Sequence, residues 1–160
     1  MSDLLQLLLE FHREKLAILT GHEAGARSVA QYDANNAYQY IINREDTHLS
    51  WLTGAIMTLG GTPETAAPAD AEASRGRDAW RGLAEGHARE AQQFVDRWRP
   101  RVEAMTNARH RGMLRVILGE MLEQKRFFEQ VVGGNLDLLG RRTDGVGLRV
   151  GGVLPTRWVE

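Results

Sequence analysis

The sequence predicts an all-α fold: an antiparallel four-helix bundle with one long crossover connection and an irregular C-terminal tail. Three observations predict it. Apolar residues recur every three to four positions over most of the first 132 residues. Runs of alternating β-branched residues and hairpin turn dipeptides are scarce before residue 145. Gly, Pro and small-residue clusters cut the periodic stretches into four segments of about 24 to 30 residues, each spanning roughly 36–45 Å at 1.5 Å per residue. A chain of 160 residues suits one domain with a sizeable core, here residues 1–135, followed by a Gly-rich tail over 136–160.

The first helix starts after Ser2–Asp3, a fair capping pair. Leu4, Leu5, Leu8, Phe11, Leu16 and Leu19 mark its buried stripe. Gly21 and Gly25 each cost a helix about 1 kcal/mol. Leu16, Leu19, Glu23, Ala26 and Ala30 nevertheless keep one face across them, so the helix is expected to continue to about Gln31. The segment YDANN, residues 32–36, has the Asp and Asn residues of a turn. The second helix then runs from about Asn36 to Leu59 and stops at LGGTP, with Gly60 or Gly61 in the left-handed conformation and Pro63 just beyond.

Residues 62–78, rich in Pro and Ala, form the one long connection. The third helix covers roughly 78–104, with Trp80, Leu83, His87, Ala91, Phe94, Trp98 and Val102 inward and a kink at Pro100. After a short turn, the fourth covers about 109–132, with Met113, Ile117, Met121, Phe128 and Val131 inward, and ends at Gly133–Gly134. The tail holds too much Gly for a helix. Its GVGLRVGG stretch has neither the preceding strand nor the following helix of a phosphate loop.

Composition narrows the function classes. With no cysteine there is no disulfide, zinc–thiolate site, iron–sulfur ligation or thiol catalysis. A formal net charge of −1 offers no basic surface for nucleic acid. No apolar run approaches the ~18 residues of a membrane span, and the N-terminus lacks the basic start of a signal peptide. A cytoplasmic protein is expected. Of the 20 basic residues 18 are Arg, which reads as a compositional bias without functional weight.

The chemistry concentrates on the second helix. Glu45 and His48 stand three residues apart on the face that carries Ile41, Leu52, Ala55 and Leu59. A buried carboxylate is costly unless it is paired or bound to a cation, so the other helices should supply partners. The fourth helix offers Glu120 and Glu123, with Gln124 as a hydrogen-bonding neighbour. The third offers His87 and Glu90, and the first offers Glu23. In antiparallel hairpins, residues equidistant from the turn share a level. Glu23 and Glu45 centre on residue 34, and Glu90 and Glu120 on residue 105, so both hairpins bring carboxylates to one depth. Were the first helix to break at Gly21, Glu10, His12 or Glu14 would take the place of Glu23.

The spacing of EDTH, ten residues and then LGGTP resembles the second helix of the ferritin-like superfamily, especially its bacterioferritin and rubrerythrin branch. HEAGARSVAQY is similar to the first metal helix of such proteins. The resemblance covers the layout of about residues 16–132 and is specific over 45–63. It implies a carboxylate-bridged two-metal centre, usually di-iron, with manganese or zinc as alternatives. The implied chemistry is that of a ferroxidase, peroxidase or oxygenase, an oxidoreductase using O2 or peroxide. By position, Glu23 and Glu90 would be the lone carboxylates, Glu45 and Glu120 would bridge or chelate, and His48 would bind one metal. The sequence departs from the family in having Glu123 where a second His is expected, with His87 as a substitute, and in the short spacing between Glu23 and Glu45.

Alternatives stand beside this. Glu90 and Glu120 could instead pair with Arg89, Arg97, Arg115 or Arg126. His12, His22 and His110 have polar neighbours and are expected at the surface, whereas Tyr38, Tyr40 and the four Trp are expected in core or interface packing. Without the second His, the chain could be a non-catalytic ferritin-like bundle, a dimeric structural or interaction protein. A three-histidine metal site of the DinB kind has only His48 and His12 to draw on. A homodimer is expected in either case. A closed storage cage is not, because the tail replaces a fifth helix.

Overall fold

A computed structural model describes residues 2–65 and 79–134. Among them are four helices and no strand: α1 (Asp3–Ser28), α2 (Tyr32–Thr58), α3 (Ala79–Glu103) and α4 (Ala108–Val132). Residues 66–78 of the predicted connection, the tail over 136–160 and the GVGLRVGG stretch within it lie outside the described residues.

Each helix end has a local cause. The Ser2 side chain accepts a hydrogen bond from the Leu5 amide at 3.3 Å, and Asn107 from the His110 amide at 3.0 Å, satisfying amides that a first turn leaves unpaired. At the end of α2, Gly60 takes φ +79°, and the amides of Gly61 and Gly60 reach back to the carbonyls of Ile56 (2.9 Å) and Met57 (3.0 Å). This is a Schellman motif. A Cβ on Gly61 would lie 2.5 Å from Leu5 Cδ1, so the second glycine of LGGTP lets the chain cross close over α1. α4 ends with Gly134 at φ +87°, its amide donating to the Val131 carbonyl at 3.0 Å. α3 continues through Pro100 to Glu103.

α1 runs unbroken through Gly21 and Gly25, as expected. The first turn, however, is not YDANN. The connection is residues 29–31, and 32–36 form the first turn of α2. Gln31 caps α2 by accepting from the Ala34 amide, and Asp33 sits where the helix dipole favours a negative charge. Asn35 does secure the turn, but from inside the helix: its Nδ2 donates to the carbonyls of Ala26 (3.0 Å) and Val29 (3.2 Å). Asp and Asn suit helix starts as well as turns, so composition placed the turn four residues late.

Side-chain contacts fix the topology. α1 packs against α3 antiparallel, Glu10 with Arg101 at 2.7 Å, Glu14 with Arg97 at 2.6 Å, and the His22 and His87 rings 4.7 Å apart. α2 packs antiparallel on α4, Arg44 with Glu120, and Tyr40 with Phe127 at 5.7 Å between rings. α2 and α3 therefore run parallel. The chain leaves α2 at one end of the bundle and enters α3 at the other, a helix length of about 37 Å away. This up-down-down-up order is the crossover bundle that the sequence predicts, and it agrees with the general ferritin-like layout.

In the half away from the 29–31 turn, Phe11 stacks edge-on with Phe94 (5.1 Å) and Trp98 (4.8 Å), all three buried, each aromatic pair adding about 0.5–1.5 kcal/mol beyond area burial. Trp98 Nε1 donates to Glu14 Oε2 at 2.9 Å, so its one polar atom is satisfied. Trp80 is buried as well, but Trp51 is 39% exposed.

Candidate functional site

Glu45 and His48 are both completely buried, as their place on the apolar face of α2 requires. The side chain that meets Glu45 comes from α1, and it is Lys15 rather than Glu23. Lys15 Nζ is in ion-pair contact with Glu45 Oε2, and both side chains are fully buried. The reason is register. With the connection centred on residue 30, residues 15 and 45 are equidistant from it and share a level. Glu23 lies two turns of α1 further on, exposed, beside Arg27, Asn35 and Gln39.

Lys15 also donates to Met121 Sδ at 3.0 Å. Burial lowers the pKa of its ammonium, opposed by the charge of Glu45 and, more weakly, of Glu120. The approach of Nζ is close but poorly directed, so neither Glu45 oxygen receives a well-formed hydrogen bond.

His48 turns to α4. Its Nε2 lies 2.7 Å from Glu120 Oε2, and Arg44 holds both oxygens of the same carboxylate, with Nε 2.9 Å from Oε2. A carboxylate only accepts, so Nε2 carries the proton and Nδ1, buried without a partner, is the bare nitrogen. Burial lowers the His48 pKa and the Lys15 charge lowers it further, against the pull of Glu120 and Glu45; the ring is neutral. For Glu120, burial works to raise the pKa, but the hydrogen bonds from Arg44 and His48 and the charge of Arg44 prevail and hold it below the usual carboxylate range. The outer end of this chain opens on a surface cleft of about 330 Å³ lined by Tyr40, Phe127 and Gln124 among others.

The remaining predicted residues divide. Glu90 is exposed as a residue, yet its carboxyl titrates above the ordinary range, first from partial burial and second from the charge of Glu45. Glu123 is exposed and paired with Arg126 on its own helix. His87 is buried one layer closer to the 29–31 turn. Its Nδ1 is 3.0 Å from the Tyr38 hydroxyl, its ring is 4.7 Å from His22 and 5.2 Å from Phe128, and burial pushes its pKa down to about 4.

Three histidines differ from expectation or refine it. His12 and His22 are buried, not at the surface, because both fall on the inner side of α1; His110 is half-buried. Burial lowers the pKa of His12 and takes that of His22 well down, with the neighbouring His87 and Lys15 adding to the latter. His12 faces Thr53, 3.4 Å away, and joins no histidine group with His48.

Two cationic side chains of the protein itself, Lys15 and Arg44, stand against Glu45 and Glu120, with His48 neutral and the Glu90 carboxyl near enough to feel the charge of Glu45. Among the described residues no three His, Asp or Glu side chains converge as a metal-holding group. The donor set of a two-metal carboxylate centre does not fit here: one lone carboxylate is displaced to the surface by register, an ammonium holds its place, and a guanidinium occupies Glu120. Lys15 is the residue that sequence reasoning missed. Its signal was its position, on the Leu8, Phe11, Ile18 stripe at helical spacing, and the rarity of lysine in this chain.

No protein-family model, curated protein or solved structure matches this chain. Among the described residues, no helix is long and apolar enough to cross a membrane.

Proposed function

We propose that this chain is a non-catalytic bundle of ferritin-like layout, a dimeric structural or interaction protein whose interior polar layer is closed by its own side chains. The observation that carries this is the contact between Lys15 and Glu45. An ammonium at that point does what a bound cation would do for the Glu45 carboxylate: it supplies the counter-charge that makes burial tolerable. It also weakens the electrostatic attraction of the layer for a divalent ion.

A second reading, a metal-binding oxidoreductase, keeps one specific support: the Glu45 oxygens and His48 Nδ1 are buried without hydrogen-bond partners. Atoms of that kind suit a metal, if Lys15 withdraws.

Elemental analysis and an absorbance spectrum of freshly purified protein separate the two. The bundle reading expects iron, manganese and zinc well below one equivalent, with no charge-transfer band. Stoichiometric metal that disappears in the Glu45→Ala/His48→Ala double variant would establish the oxidoreductase reading instead.

A further inference from the structure

We propose that the outer face of α4 docks against the same face of a second copy of this chain, antiparallel and centred on Val116. This deepens the reading of the protein as a dimeric interaction bundle and rests on it.

The exposed line of α4 is Arg109, Gly112, Val116, Gly119 and Glu123, each three or four residues from the next, so they form one stripe. Val116 is 51% exposed at its middle. Gly112 and Gly119 flank it, and a Cβ added at either would meet nothing within 4 Å. Glycine in the interior of an exposed helix costs stability relative to alanine, and nothing among the described residues uses the space these two leave. A second helix would use it, because small residues let two helix backbones approach closely. Beside the stripe, α2 presents Trp51, 39% exposed, at the edge of a cleft of about 480 Å³ that Met113 and Arg109 also line. A large aromatic at the margin of an open cleft is the kind of anchor that interfaces bury.

The charges select the partner and its direction. They stand only at the two ends of the stripe, Arg109 at one and Glu123 at the other. Among the described residues Arg109 makes no ion pair within its own chain, and Glu123 is held only by the exposed Arg126 one turn away. Two such helices crossing antiparallel about Val116 put Arg109 of each copy opposite Glu123 of the other. Gly112 of one copy then comes within a residue of the level of Gly119 of the other. A parallel crossing would set Arg109 against Arg109. The face is thus complementary to itself in one orientation, as a twofold dimer requires.

The chain has no cysteine, so one engineered thiol reports on one position. The full-length protein is expected to be dimeric at micromolar concentration by light scattering after gel filtration. Val116→Cys, next to the twofold axis, should cross-link to itself under mild oxidation at least tenfold faster than Arg99→Cys on the exposed side of α3. Arg109→Glu should weaken the dimer at least tenfold, and Arg109→Glu/Glu123→Arg should restore it, since the double swap re-creates both pairs; circular dichroism confirms that each variant is folded. A monomeric wild type overturns the proposal, as does a dimer in which Val116→Cys cross-links no faster than the control or the double swap fails to rescue. Metal content is measured separately. Stoichiometric metal would sink the non-catalytic reading with the docking face intact; a metal-free dimer that fails the Val116→Cys or double-swap test would sink the docking face with that reading intact.

Discussion

Lys15 on α1 and Glu45 on α2 form an ion pair with both side chains entirely shielded from solvent. Their helices are joined by residues 29–31, so the two sit at equal distance from the turn and meet at one depth of the core. Most of what can be tested about the interior follows from this pair and the groups that touch it.

Removing one partner should be far worse than removing both. Lys15→Met leaves a buried carboxylate without its counter-charge and should cost about 3–5 kcal/mol, whereas Lys15→Met/Glu45→Leu should recover most of that loss or exceed wild type. Urea denaturation of the three proteins gives the comparison. A Lys15→Met protein as stable as wild type would mean that Lys15 does not compensate Glu45.

The Arg44–Glu120 pair is half open to solvent, with side-chain exposures of 37% and 27%, so it should contribute less. A double-mutant cycle with Arg44→Leu and Glu120→Gln should return a coupling of about 1 kcal/mol at low salt, shrinking as salt is raised. An unchanged coupling at high salt would place the pair in a drier setting than the structure gives it.

Acid should loosen the end of the bundle near the 29–31 turn first. His87 in the folded state titrates at about 4, below the ordinary histidine value near 6.5, so between those values the unfolded chain binds more protons than the folded one. The stabilisation is complete above the unfolded pKa and falls as pH drops from about 6.5 to about 4, by roughly 3 kcal/mol for this one group. His22 acts in the same direction. His87→Gln should therefore flatten the decline of unfolding free energy across that window. An identical slope in wild type and variant would show that His87 is not neutral in the folded state.

The two glycines inside α1 should respond oppositely to alanine. At Gly21 a Cβ meets nothing within 4 Å, and Gly21→Ala should stabilise by up to about 1 kcal/mol. At Gly25 the same atom would lie 2.9 Å from His87 Cε1 and 3.3 Å from Tyr38 Cε1, and Gly25→Ala should cost about 1–3 kcal/mol by forcing those rings apart. Melting temperatures suffice to decide; a stabilised Gly25→Ala protein would contradict the packing of His87 on α1.

The sequence by itself determined the four helices, the ends set by Ser2, Gly60 and Gly134, and the burial of Glu45 and His48. These are local matters: helical spacing puts a residue on the inner or outer side of its own helix, and caps act over one turn. The long middle connection favoured the crossover layout over a plain up-down bundle, and contacts between helices decided it. What faces Glu45 was decided by the tertiary structure alone. Register between two helices depends on where the connection falls, and every residue of error there shifts the facing partner by two. Placing the turn four residues late exchanged Lys15 for Glu23, an ammonium for a carboxylate, and with it the electrostatic meaning of the whole layer. His12 and His22 were misplaced for a related reason: their polar neighbours along the chain say little about which way a side chain points once four helices close around it.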